Sequence, residues 1–270
     1  MNQTFNLHRF ALIMKLDFIE KGKTYLLMAA LLVTILLIMM VPIALYDEPS
    51  GFRQALHYMA LFMIMLFGSS LYTGSALTQY TSTSTGMAAL MIPASTTEKF
   101  LSSLVSNLLF IVLLLVFYVQ LHYFTIDAAN EKSLSTAYKY KYISIDYLRY
   151  FVYFYFAMHS VFFLGSIHFT KASYIKTAAI VVCICLSGFI LHLYLANTFT
   201  SYPTKINTLP LSGWQIWAYD IQGRTVLHEN TKHYHVMFPA NIYILIQAFP
   251  VFLTLAFWYV SFLKLKEKQI

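Results

Sequence analysis

Charge is what this sequence has least of. Asp, Glu, Lys and Arg make up 11% of its 270 residues, 18 basic and 11 acidic, less than half the share of roughly a quarter usual in a soluble domain. With 59% of positions hydrophobic and 17% aromatic, too little polar surface remains to clothe a soluble globule of this length. Cysteine is scarce too. Cys183 and Cys185, the only two, stand two positions apart on a helical stretch and point about 200° from each other. They cannot bridge, and they read as lipid-facing or packing residues; neither a disulfide framework nor a paired-cysteine metal site is available. A glycine-rich phosphate loop ending in Lys and then Ser or Thr is also missing, which excludes ATP hydrolysis in its commonest form. No basic tract has the footprint of a nucleic-acid binder. The net charge of +7 instead fits contact with anionic lipid headgroups.

What is present is a set of long intervals without any Asp, Glu, Lys or Arg: 24–46, 54–97, 100–126, 150–170, 177–204 and 233–263. A hydrocarbon core of about 30 Å takes about 20 helical residues, so each interval holds a span. The interval 54–97 is long enough for two, but its second half carries the polar run Thr78 to Gly86, whose donors and acceptors would face lipid. It reads as one span and a loop. The expected fold is therefore an all-α integral membrane protein forming a single transmembrane domain. Its six helices are expected at about 24–45, 55–77, 101–124, 149–170, 175–196 and 241–263. The first apolar run exceeds the length of a signal-peptide core and lies behind a charged leader, so it is expected to remain as a span. Ahead of it, Phe5 to Lys23 mixes an apolar face with Asn6, Arg9, Asp17, Glu20 and Lys21 on one arc, the pattern of an interfacial helix.

Six spans put both termini on one side. Ten Lys and Arg in short segments fall on that side and eight in longer loops on the other, which favours termini in the cytoplasm. None of the charge-free intervals holds an acidic or basic group for a coupling ion, which disfavours ion-driven transport. If the chain is an active transporter, its motor is another polypeptide.

The cytoplasmic loop 78–100 is where a motor would attach. Gly86 to Ile92 is a short apolar, helix-compatible piece stopped by Pro93, which disfavours helical geometry in the residue before it. Ser95 and Glu98 have the spacing of a capping box, predicting a helix from about Thr96 that runs directly into the third span. A short helix beside a stiff stem transmits a push. Read plainly, the same residues are a polar turn followed by an ordinary capped helix.

At this loop the sequence resembles the permease subunits of ABC type-2 transporters, particularly those of Bacteroidetes-like bacteria, which show a Leu-Met-Leu-Pro-Ala-Ser run followed by Glu-Lys-Phe. Here it reads Leu90-Met91-Ile92-Pro93-Ala94-Ser95, then Glu98-Lys99-Phe100, with Ile92 in place of the second Leu. The resemblance extends over most of the chain: six spans, a preceding N-terminal helix and a long external segment before the last span. It implies that Met87, Leu90, Met91, Pro93, Ser95, Glu98 and Lys99 belong to a coupling helix docking on a cytoplasmic ABC ATPase subunit. It also implies a second permease copy or paralogue forming a dimer, a bacterial inner-membrane location, and no cofactor on this chain, ATP being used by the partner.

Along the second span Ser70, Gly74 and Thr78 recur every fourth residue, a small-residue face that serves close helix packing or a translocation path; Ser187 in the fifth span has the same two readings. His159, near the middle of the fourth, is either a buried neutral imidazole bonded to a neighbour or a polar contact for cargo. The external loop 197–240 is too long to be without structure. Trp214 to Tyr219 with Arg224 to His228 suggests a hairpin, and short external helices are the alternative. His228, Glu229, His233 and His235 lack a second spaced ligand set, so no metal is expected. Two functions stand: an ATP-driven permease subunit moving an amphipathic or hydrophobic cargo, or an intramembrane serine protease using Ser69 or Ser70 with a histidine of another span.

Overall fold

The computed structural model describes residues 5–46, 50–64, 68–81, 86, 89, 91–132, 139–200, 214–217, 233–236 and 240–268. The chain divides into two compact units, one of residues 1–176 with 253–270 and one of residues 177–252.

Helix α1 runs without interruption from Leu7 to Met40, about 51 Å at 1.5 Å per residue. The Asn6 side chain caps it, accepting the amides of His8 and Arg9 at 2.8 and 3.3 Å. A separate interfacial helix ahead of the first span is therefore not found. The expected break lies near Gly22, yet one glycine costs a helix only about 1 kcal/mol. Asp17 spans the junction, pairing with Lys21 at 2.6 Å and accepting the Tyr25 hydroxyl at 3.0 Å. Pro42 then opens a short α2, Pro42–Leu45, in the first-turn position where its missing N–H does least harm.

The second expected span, 55–77, is not one α-helix. Helix α3 covers Gly51–Met63 and α4 covers Ser69–Thr73, followed by turns and a 3-10 turn at Thr78–Tyr80. Beyond Thr73 the reason lies in the small polar residues themselves. Ser75, Thr78 and Thr81 each donate their hydroxyl to the carbonyl three residues back, at 2.8 Å in every case, which competes with regular helical bonding and tightens the coil.

The remaining helices are longer than expected at one or both ends: α5 Thr96–Lys132, α6 Ile145–His168, α7 Ser173–Thr200 and α8 Ala240–Glu267. Five helical stretches among the described residues are long and apolar enough to cross a bilayer, at 7–45, 96–132, 147–168, 173–194 and 248–267, which marks a membrane-embedded, multi-pass protein. In the unit 177–252 a two-stranded antiparallel ribbon pairs β1, Trp214–Trp217, with β2, His233–Val236. The strand at 214 is where the sequence put it, but its partner is 233–236; residues 224–228 lie outside the described residues.

Within the first unit three apolar clusters follow one another along the bundle. Leu36, Met40, Leu61, Leu114 and Tyr118 fill its middle. Leu77, Phe100, Phe163 and Leu265 close the end at which α5 begins. Ile43, Ile126, Ala129 and Tyr140 close the other. The start of α1 and the end of α8 lie at the same end, because Asn6 bonds to Glu98 and Phe262 packs on Phe100.

Candidate functional site

The predicted capping box forms. The Ser95 amide donates to Glu98 Oε2 at 2.8 Å, and the Glu98 amide donates to Ser95 Oγ at 3.2 Å, so two amides at the start of α5 find acceptors. Glu98 does more than cap. Its Oε1 accepts the Asn6 amide at 2.6 Å and the Arg9 guanidinium at 3.3 Å from Nε and 3.0 Å from Nη2. One carboxylate thus ties the first turn of α1 to the first turn of α5.

The coupling residues separate into two kinds. Met91 is 83% exposed and Pro93 is exposed beside it, so both are accessible to another molecule. Glu98 and Lys99 are buried, at 0% and 2% exposure, and Glu98 is occupied within the chain. Ser95 is half-buried in its cap. Met87 and Leu90 lie outside the described residues.

Of the residues suggested for a path, Ser70 is buried, Thr78 half-buried and Ser187 exposed. A side chain at Gly74 would meet the Tyr174 ring at 3.2 Å, and one at Gly68 would meet both Leu32 methyls at 2.8 Å. These are close-packing contacts. His159 is 1% exposed; its Nδ1 accepts the Trp258 indole N–H at 3.3 Å, and its Nε2 has no hydrogen-bond partner. Among the described residues Asn107 Oδ1, Ser106 Oγ and Tyr155 OH, like His159 Nε2, are buried without a partner. α5 and α6 run antiparallel between the Phe100–Phe163 ring contact of 5.6 Å and the Ile143–His122 hydrogen bond of 3.1 Å. Tyr155 and His159, one turn apart on α6, place their rings 5.7 Å from each other.

A second polar centre was not anticipated. His57 of α3 and His122 of α5, 0% and 4% exposed, face each other with Nδ1 atoms 2.9 Å apart. His57 Nε2 lies 3.2 Å from the Met40 carbonyl, and His122 Nε2 accepts the Ile143 amide at 3.1 Å. Tyr118 stacks on His122 and donates its hydroxyl to the His57 carbonyl at 2.9 Å. Residues 139–144 cross over this end as a strap: the Tyr140 hydroxyl accepts the Ser50 amide at 2.8 Å, and the Lys141 carbonyl accepts the Gln54 side chain at 3.1 Å. Tyr142 donates its hydroxyl to Asp127. That bond, helped by desolvation and the carboxylate charge, holds the Tyr142 phenol above its ordinary value. Both histidines sit in intervals counted as charge-free, since that count covered only Asp, Glu, Lys and Arg. A search for histidine within apolar runs finds them.

No protein-family model, no curated protein and no solved structure matches the chain. Among the described residues no group of three or more His, Cys, Asp or Glu is placed to hold a metal ion.

Proposed function

We propose that the chain is the membrane-spanning permease subunit of an ATP-driven transporter of the ABC type-2 kind. It works as a dimer with a separate cytoplasmic ATPase and moves an amphipathic or hydrophobic cargo across a bacterial inner membrane. One observation carries this reading: the exposed Met91–Pro93 segment leads directly into the capped start of α5, and the capping Glu98 also grips α1. A push on Met91 would move two long apolar helices together, where a flexible linker would absorb it. The segment 51–77 serves as a sixth crossing despite its broken helix. It runs from Ser50, bonded to Tyr140, to Leu77, whose amide donates to Ser166 at 3.3 Å, and irregular backbone is tolerated at membrane depth where protein covers it. An even number of crossings fits the shared end of the termini, placed in the cytoplasm by the Lys and Arg distribution.

The test is crosslinking from a photoreactive residue at Met91 in native membranes, with the captured chain identified by mass spectrometry. An ATPase subunit is expected, and copurification of that subunit with the otherwise unlabelled chain is expected to be lost in Met91→Glu. Unchanged ATPase association in Met91→Glu and Pro93→Gly, or cargo pumped by the purified chain alone in liposomes, overturns the reading. Among the described residues the buried histidines His57 and His159 are engaged with other side chains, His57 with His122 and His159 with Trp258.

A further inference from the structure

The stretches free of Asp, Glu, Lys and Arg are not free of ionisable groups, and the hydrogen bonds of His57 and His122 fix where every imidazole proton sits. The Ile143 amide can only donate, so His122 Nε2 is an acceptor and its proton is on Nδ1. That proton points at His57 Nδ1, 2.9 Å away, which must then be bare, leaving the His57 proton on Nε2 to donate to the Met40 carbonyl. The result is a one-way chain, Ile143 to His122 to His57 to Met40. It joins the strap, α5, α3 and the end of α1.

This chain closes only when both rings are neutral. A proton added to His57 sets two Nδ1–H donors against each other across 2.9 Å; one added to His122 sets an Nε2–H against the Ile143 N–H. Nothing described around the pair offsets a positive ring. Tyr118, Tyr123 and Tyr142 place their rings 6.0, 5.9 and 6.3 Å from that of His122. Tyr58 of α3 lies beyond Tyr118, and α1 contributes a carbonyl alone. The carboxylate of Asp127 is taken by Tyr142.

We infer that His57 and His122 form a proton-binding site that latches the strap 139–144 over the ends of α1, α3 and α5 and releases it when a proton binds. Sealed, the pair carries no extra proton; open, the rings are free to take one up. Linkage then requires acid to favour the open form. The site stands independently of the permease reading, since it needs neither an ATPase nor a cargo.

The test uses the full chain in nanodiscs, with Cys183 and Cys185 replaced by Ser and Ala129→Cys placed under Tyr140 as the reporter. Ala129 is 5% exposed and packs with Ile43, Ile126 and Tyr140. Labelling by a neutral thiol reagent, divided at each pH by its rate with a free small-molecule thiol to remove the pH dependence of the thiolate itself, is expected to rise about tenfold for each pH unit below the transition, up to saturation, and to be flat with pH in the His57→Leu/His122→Leu background. Equal pH dependence in that background, or flat labelling in the parent, overturns the proposal. ¹⁵N spectra of histidine-labelled wild-type chain at pH 8 give a check that survives a misfolded variant. His122 is expected with its proton on Nδ1 and His57 with its proton on Nε2; a spectrum in which none of the nine histidines carries its proton on Nδ1 refutes the latch.

Discussion

Glu98 holds Arg9 across 89 positions of sequence, with Arg9 Nη2 3.0 Å from Oε1, the carboxylate fully buried and the Arg9 side chain 34% exposed. That asymmetry sets what each partner is worth. Removing the carboxylate deprives the Ser95 and Asn6 amides and the Arg9 guanidinium of this acceptor. Glu98→Ala is expected to destabilise the chain by about 3–5 kcal/mol. Arg9→Ala removes the exposed partner and leaves the amide bonds in place, at about 1–2 kcal/mol. The double variant should lose less than the sum. Unfolding in detergent micelles checks this, and additive losses would show that the pair does not couple α1 to α5.

Two buried tyrosines separate a satisfied hydroxyl from an orphan. Tyr118 donates to the His57 carbonyl at 2.9 Å, whereas Tyr155 OH is buried without a partner among the described residues. Deleting a made bond costs about 1 kcal/mol, and deleting an unmade one relieves a desolvated group. Tyr118→Phe should therefore lower the unfolding midpoint and Tyr155→Phe should hold or raise it. A drop of equal size in both would reveal a partner for Tyr155, such as water or a cargo group.

The sequence shows the large features because each rests on a local rule. Charge-free intervals mark the long helices, and the Ser95–Glu98 spacing marks the start of α5. The turns that follow Thr73 were not legible within the expected span, since hydropathy does not register hydroxyls folding back on carbonyls. Nor was the continuity of α1, which depends on Asp17 reaching Lys21 and Tyr25 across Gly22. Glu98 was legible as a cap; its hold on Asn6 and Arg9 was not, because nothing local relates position 6 to position 98. The His57–His122 pair is a meeting of three chain segments and the strap, and no window of sequence contains it.

Gly68 shows what the small residues of 68–75 achieve. A Cβ there would lie 2.8 Å from both Leu32 methyls, and Leu32 is 7% exposed in the packed core, so added bulk has little room to escape. Gly68→Val is expected to cost about 1–3 kcal/mol. Leu32→Ala alone leaves a cavity worth about 2–4 kcal/mol, and combined with Gly68→Val it should cost less than the two together. Gly188 on α7 has nothing within 4 Å of its would-be Cβ, so Gly188→Ala should be neutral or slightly stabilising. Additive losses at Gly68 and Leu32 would mean that the two do not touch.

Tyr80 gives the end at which α5 begins an alkaline limit. It is 5% exposed among Leu77, Phe100 and Phe163. Burial, with help from the Asp17 and Glu20 carboxylates and against the Gln79 side chain, pushes its phenol up to about 12. In the unfolded chain the same group ionises near 10. Below pH 10 both states hold the proton and the contribution to stability is complete. Above it the unfolded chain releases the proton first, so stability falls until the folded phenol ionises near pH 12, a total on the order of 2 kcal/mol. Other tyrosines titrate in the same range, so the difference between wild type and Tyr80→Phe isolates this one. The gap between their unfolding free energies should be constant up to pH 10 and shift in favour of Tyr80→Phe between pH 10 and 12. A gap that does not move with pH would show that the Tyr80 hydroxyl reaches solvent in the folded chain.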